Sequence, residues 1–245
     1  MPGQDGVASP EEVGLTTTML ERVLLAGECA PGELVLVRHG QQGVNELGDP
    51  ARPKAGDAPL SELGRRQADA VAAELARGPV DAVYCSPLRR AHETGQRIAE
   101  RQGLEPVVDA RLVEVGIFRG LPRGATVAGQ LGAAGQAALE RDFSASHSWS
   151  AFPLSESRPE IDERLGAALD HILARHPEAS RIVVACHGGV INALIRRVIG
   201  SDRDMLVYPA HASITRLARG GGRLALSTVN EMHHLRHRAD VELTY

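Results

Sequence analysis

The sequence predicts an α/β fold: a three-layer sandwich in which helices flank a mainly parallel central sheet, with an inserted cap segment. Three observations carry this reading. Leu34–Val37 and Ile182–Cys186 are unbroken apolar, β-branched-rich runs, the pattern of strands buried on both faces of a parallel sheet. Shorter strand segments alternate with helix-length segments that open on cap signals. Near the end of the chain, Gly220-Gly221-Gly222 joins two strand segments, Ile214–Ala218 and Leu224–Val229, as a hairpin that adds an antiparallel edge.

Taken in order, residues 1–31 form a helical extension. Ser9 is its N-cap and Pro10 its first helical residue, and the helix runs to about Ala26. Residues 32–245 then form one α/β domain. Glu33–Val37 is its first strand, and the Gly-, Pro-, Asp- and Asn-rich stretch 40–60 is a loop. Ser61 opens a helix to about Arg77, which Gly78-Pro79 ends. Ala82–Cys85 is a strand, and Ser86-Pro87 reads as N-cap and first turn of a helix reaching Gln102. Pro106–Val108 is a short strand. Residues 120–157 differ in kind: Ala-, Gly- and Ser-rich, with a helix near 126–141 and the aromatics Phe143, Trp149 and Phe152, they read as a cap insertion. Further helices cover Pro159–Arg175 and Val190–Ile199, on either side of the strand Arg181–Cys186.

Composition sets the functional limits. The chain has 245 residues, a net charge of −4 and 3% aromatics, so it offers neither a basic stripe nor a stacking set for nucleic acid. No apolar run is long enough to span a bilayer, and the N-terminus lacks signal-peptide character. Three widely spaced cysteines imply neither a disulfide framework nor a zinc knuckle, so a cytoplasmic setting is expected. Of 27 basic residues a single one, Lys54, is lysine. It does not follow a G-x-x-x-x-G run, so there is no P-loop, and anions must be held by arginine, histidine and backbone N–H groups.

In open α/β sheets, ligands bind beyond the carboxyl ends of the strands. The residues just after each strand are therefore informative. Arg38-His39-Gly40 follows the first, Ser86-Pro87-Leu88-Arg89-Arg90 the second, Glu114 the third, and His187-Gly188 the fourth. Two histidines, at least two arginines and a carboxylate thus converge on one rim. Such a cationic cluster repels itself without an anion. A phosphate fits best, because arginine forks match its oxygens bidentately and histidine can act as a nucleophile at phosphorus.

These segments also resemble those of the histidine phosphatase superfamily, the phosphoglycerate mutase-like proteins. Arg38-His39-Gly40 with Asn45 is similar to its R-H-G-x-x-x-x-N signature. Leu60–Ala68 resembles L-S-x-x-G-x-x-Q-A, and Ser86–Thr94 resembles S-P-L-x-R-A-x-x-T. Leu112-Val113-Glu114 resembles its acid segment, and Cys186-His187-Gly188-Gly189 with Asn192 its second-histidine segment. Asn230 with His234-Leu235 is similar to its closing segment. The resemblance implies that His39 attacks phosphorus, that Arg38, Arg90 and His187 hold the phosphoryl oxygens, and that Glu114 protonates the leaving oxygen. It further implies that Asn45, Gln42, Gly188 and His211 line the phosphate site. No metal and no cofactor are implied, since two arginines and a protonated histidine can do a metal's electrostatic work. The implied partner is a small phosphorylated metabolite, and the N-terminal helix would cap the domain or mediate contacts in a homodimer.

There are departures. Gln41-Gln42 stands where the family usually has Glu-Thr, the segment after Glu114 is short, and the longer motifs of glycolytic mutases are absent. The expected activity is therefore a phosphomonoesterase. A phosphoryl mutase and a catalytically weak phospho-ligand-binding module are the alternatives. Other residues take plainer readings: Arg89, Arg119 and Arg123 as solvated, Cys186 as a buried strand thiol, and His92 as a flank of the pocket. His233, His234 and His237 read as a surface tail, although the i, i+4 spacing of the first and last would suit a metal pair if helical.

Overall fold

The computed structural model describes residues 32–43, 57–117, 119 and 127–245. The helix expected within 1–31, Asn45, Phe118 and Arg123 lie outside them. Six strands form one mixed sheet: β1 (Gly32–Arg38), β2 (Ala82–Cys85), β3 (Val107–Val108), β4 (Arg181–Cys186), β5 (Ile214–Gly220) and β6 (Arg223–Glu231). Their spatial order is β3-β2-β4-β1-β5-β6. The first four in that order run parallel, and β5 then pairs antiparallel with β1 and with β6.

The apolar runs are continuous because both faces of the sheet are covered. Alternate side chains of β1 enter opposite cores. Leu34 and Leu36 join Ile182, Val184, Leu165, Ile172 and Ile191 on one face. Val35 and Val37 join Val83, Val183, Val71, Leu75 and Ile98 on the other. Helices α1 (Glu62–Leu75) and α2 (Arg89–Arg101) and the short α6 (His233–Arg236) cover the second face. Helices α4 (Arg158–Ala174) and α5 (Gly188–Ile199) cover the first.

Local chemistry sets the helix starts. The Ser61 hydroxyl caps α1 by accepting the Gly64 N–H at 2.9 Å. Ser157 and Glu160 form a reciprocal capping box on α4. The start of α2 corrects the sequence reading. Its N-cap is Leu88, not Ser86, and the Arg89 N–H goes to the Asp57 carboxylate at 2.7 Å. The Ser86 hydroxyl still accepts the Leu88 N–H at 3.3 Å, and it has a second task as well. The β5–β6 hairpin turns at Gly221 (φ 56°) and Gly222 (φ 71°), the pair of positive angles that a tight primed turn requires.

Residues 127–157 begin with α3 (Val127–Ser146), kinked at Gly132 and largely exposed. Phe143, Trp149 and Phe152 then cluster with ring centroids 4.9–6.1 Å apart and pack on the first core. Buried Asp204 staples this segment to the domain. It accepts from the Ser148 hydroxyl at 2.6 Å and the Trp149 N–H at 3.0 Å, and pairs with Arg158 and Arg196.

Candidate active site

Central β1 and β4 end side by side, with Arg38 opposite Cys186 in register. His39 continues this pairing by donating its N–H to the Cys186 carbonyl at 3.0 Å. Ala212, just before β5, gives its N–H to the carbonyls of Arg38 and His39 at 3.1 and 3.2 Å. An antiparallel strand thus starts where its parallel neighbours end, and it delivers His211 to the same rim. The His39 ring lies 5.1 Å from that of His187 and 5.5 Å from that of His211, centroid to centroid.

The tautomer of His39 follows from its partners. The Gly40 carbonyl can only accept, so Nδ1, 2.8 Å away, carries the proton. The Arg90 guanidinium can only donate, and its Nε lies 3.1 Å from Nε2, so Nε2 presents a lone pair. Burial, then His187, Arg90 and Arg38, hold the imidazole well below its ordinary range, so it is neutral across physiological pH. Arg90 is itself placed by Thr94, whose hydroxyl donates to the Arg90 carbonyl at 2.8 Å and accepts the Gly40 N–H at 3.2 Å.

His187 is fully buried, and its Nε2 lies 2.8 Å from the Ser86 hydroxyl. This is the second task of Ser86, beside its bond to the Leu88 N–H. Burial, then Arg90 and Arg38, lower the His187 pKa. Arg38 donates through Nη1 to the Pro209 carbonyl. Arg38 Nε and His187 Nδ1 are both buried and find no hydrogen-bond partner among the described residues. Gly188 begins α5 beside Arg38: a Cβ there would lie 3.8 Å from Arg38 Nε. His211 is held by Thr244, whose hydroxyl lies 2.9 Å from Nδ1, and burial pushes its pKa down to about 4.

Glu114 lies against the start of α5. The Val115 N–H at 2.8 Å and the Gly189 N–H at 3.4 Å reach its two oxygens. Its pKa is raised by burial, which outweighs those N–H groups and the Arg90 and Arg38 charges. The fit is close: a Cβ on Gly189 would sit 2.5 Å from Glu114 Oε1. Residues 111–116 are fixed in turn by a bidentate pair. Arg164 meets Glu156 through two bonds of 2.7 Å and also donates to the carbonyls of Arg111 and Val113. Glu156 in turn accepts the Gly116 N–H at 3.1 Å.

The structure therefore brings together Arg38, His39, Arg90, Glu114, His187, Gly188 and His211. Gln42 is exposed, and its backbone bridges to Leu60. Asn192 is structural: its amide joins Gly188 to Leu206 and Val207. His234 departs from the surface-tail reading. It is buried and meets the Ala212 carbonyl at 2.9 Å, while exposed His233 meets Glu74. The helix there spans only His233–Arg236, too short to set His233 and His237 as a helical pair. Among the described residues, no group of three or more His, Cys, Asp or Glu is placed to hold a metal ion, and no helix is long and apolar enough to cross a membrane. Sequence reasoning missed the roles of Ser86, Thr94 and Thr244 beside the histidines, and of Glu156 and Arg164 behind Glu114. The S-P-L-x-R-A-x-x-T match held Ser86 and Thr94, but nothing in it states their partners.

Known proteins resemble this chain in sequence and in fold. The family model of the histidine phosphatase superfamily (branch 1) matches residues 34–232. The glucosyl-3-phosphoglycerate phosphatase of Mycobacterium tuberculosis is 34% identical over 170 residues, 66% of this chain and 72% of that protein. Phosphoserine phosphatase 1 of Hydrogenobacter thermophilus is 37% identical over 91 residues, 36% of this chain and 42% of that one. The mycobacterial glucosyl-3-phosphoglycerate phosphatase solved with inorganic phosphate superposes with a TM-score of 0.67 at 29% identity, covering 82% of this chain and 97% of that one. With the matched model spanning nearly the whole α/β domain, the chain belongs to the histidine phosphatase superfamily and is a phosphatase of its phosphoglycerate mutase-like branch.

Proposed function

We propose that the protein hydrolyses a small phosphomonoester in two in-line phosphoryl transfers through a phosphohistidine on His39. The observation that carries this reading is the forced tautomer of His39, a buried imidazole whose Nε2 lone pair faces the Arg90 guanidinium, with the His187 ring 5.1 Å away. Phosphoryl transfer needs chiefly positioning and charge stabilisation. Arg38 Nε and His187 Nδ1 are buried groups without a partner among the described residues, and phosphoryl oxygens would satisfy them. Arg90, which occupies the nucleophile's lone pair in the free enzyme, turns to the phosphoryl group as that lone pair attacks. The P–O bond to the leaving group breaks as the N–P bond forms, and protonated Glu114 gives its proton to the departing oxygen. The resulting carboxylate then takes a proton from the water that hydrolyses the phosphohistidine. The relatives act on different phosphoesters, so the reaction class transfers to this chain more readily than any one substrate.

The test is phosphate release from p-nitrophenyl phosphate in the presence of EDTA. Turnover by the wild-type protein is expected, and its absence throughout pH 5–8 overturns the proposal.

The role of Glu114 has its own signature. Because its carboxyl titrates above the ordinary glutamate range, the acid form declines as pH rises through that raised pKa. The value of kcat/KM on an alkyl phosphate is expected to fall with it. On the acid side His39 imposes no limb near pH 6.5, since its pKa is depressed. Glu114→Gln should lower kcat/KM on an alkyl phosphate by about 10²–10⁴-fold and flatten the alkaline limb. The loss on p-nitrophenyl phosphate should be smaller, because that leaving group departs without a proton. Equal losses on both esters with an unchanged pH profile would remove Glu114 from the acid role.

A further inference from the structure

The chain has seven aromatic residues: three Tyr, three Phe and one Trp. Tyr84 is buried and bonded to His176, and Phe143, Trp149 and Phe152 are packed together on the core. Tyr208 and Tyr245 are used differently. They lie 37 positions apart yet stack on one another, with centroids 5.4 Å apart and planes within 6°, while remaining 63% and 49% exposed. A near-parallel pair at that separation is offset-stacked, which leaves ring face available to a third ring.

Both rings are tied to the catalytic rim. Tyr208 precedes Pro209, whose carbonyl accepts from Arg38. Asn230 fixes that stretch, donating to the Tyr208 carbonyl at 3.3 Å and accepting the Ala210 N–H at 2.8 Å. Tyr245 follows Thr244, which holds His211 through both its backbone carbonyl and its hydroxyl, each at 2.9 Å. Gln67 pins the same segment at Glu242 and Thr244. Each tyrosine is thus one residue, about 3.8 Å of chain, from a residue that contacts the phosphate-site machinery. Exposed aromatic surface beside a polar site marks a place where ligand is bound, and tyrosine supplies such area at small entropic cost.

We propose that Tyr208 and Tyr245 form the stacking wall of the leaving-group subsite, so that the preferred substrates are phosphomonoesters whose alcohol carries a ring rather than a short linear chain. This rests on the phosphatase reading above. The cation cluster takes the phosphoryl group, and the tyrosine pair takes the flat face of the departing alcohol. The geometry fixes the position of a ring and leaves its substituents open.

The experiment separates this proposal from the reaction itself. Calorimetry on the unmodified protein would compare benzylphosphonate with methylphosphonate, two probes that cannot be hydrolysed and differ in the ring. Wild type is expected to favour the ring-bearing probe by about tenfold or more, the size of one stacking contact. Tyr208→Ala and Tyr245→Ala should each erase most of that preference while leaving methylphosphonate affinity unchanged, and Tyr245→Phe should keep it. Equal affinity of wild type for the two probes overturns the proposal. So does a preference that survives in the Tyr208→Ala/Tyr245→Ala double variant, or a parallel loss of both probes in the alanine variants. Ring-selective binding without turnover of any ester would instead sink the phosphatase reading and leave the wall in place.

Discussion

His39→Ala is expected to lose phosphatase activity by on the order of 10⁴-fold or more, the scale seen when a nucleophile that acts in a catalytic unit is removed. The reason lies in its surroundings. Two fixed partners, the Gly40 carbonyl and the Arg90 guanidinium, present one nitrogen as a lone pair. Neither neighbouring histidine is presented in that way. The Nδ1 of His211 faces Thr244 and the Nε2 of His187 faces Ser86. Arg38, Arg90 and His187 persist in the variant, so inorganic phosphate should still bind and inhibit at a similar concentration. Rapid quench with ³²P-labelled ester should trap a base-stable phosphoenzyme in wild type and none in the variant. Turnover equal to wild type would place the nucleophile elsewhere.

Glu156→Ala carries the largest expected effect on stability. Glu156 is 3% exposed and Arg164 17%, and they share two charge-assisted bonds. Removing the carboxylate strands a buried guanidinium and orphans the Gly116 N–H, a loss of about 3–5 kcal/mol. At roughly 2–4 °C per kcal/mol for a chain of this size, Tm should fall by about 6–20 °C, readable by calorimetry. The sign with pH follows from the pair. Burial alone would raise the Glu156 pKa, but Arg164 and the Gly116 N–H outweigh it, and the folded-state value lies below the ordinary 4.5. The pair's stabilisation is therefore complete above that ordinary value and drains away as pH falls through the depressed one. Below it, wild type and variant should converge. Because the same pair holds residues 111–116, kcat/KM should fall as well, through a less well placed Glu114. A Tm change under 2 °C would show that the pair is not a keystone.

Sequence and structure agree best where the physics is local. The buried runs of β1 and β4 announce strands covered on both faces, and the residues after such strands must lie on the rim, so His39, Arg38 and His187 could be read from position alone. Ser86 shows where locality misleads. Serine before proline has the grammar of an N-cap, yet the hydroxyl is shared between the Leu88 N–H and an imidazole 101 positions away, while Asp57 takes the next N–H of the helix start. The same holds for His234, which looks like tail polarity and is a buried brace under Ala212. The Tyr208–Tyr245 stack was invisible for a related reason. Two isolated aromatics in loop-like sequence carry no periodicity, and their segments meet where the His211 N–H reaches the Thr244 carbonyl, beside the reversal into β5.

That reversal of β5 also governs how the molecule comes into being. The contacts that complete the site join Arg38 to Pro209 and Gln67 to Thr244, separations of 171 and 177 positions. Such distant closures incur their entropic cost before any contact rewards them, so they form slowly and late. During synthesis at about 5–20 residues per second, His39 waits roughly 10–40 s for the residues that hold His211 beside it. A growing chain therefore carries His39 long before the residues that complete its surroundings have been made.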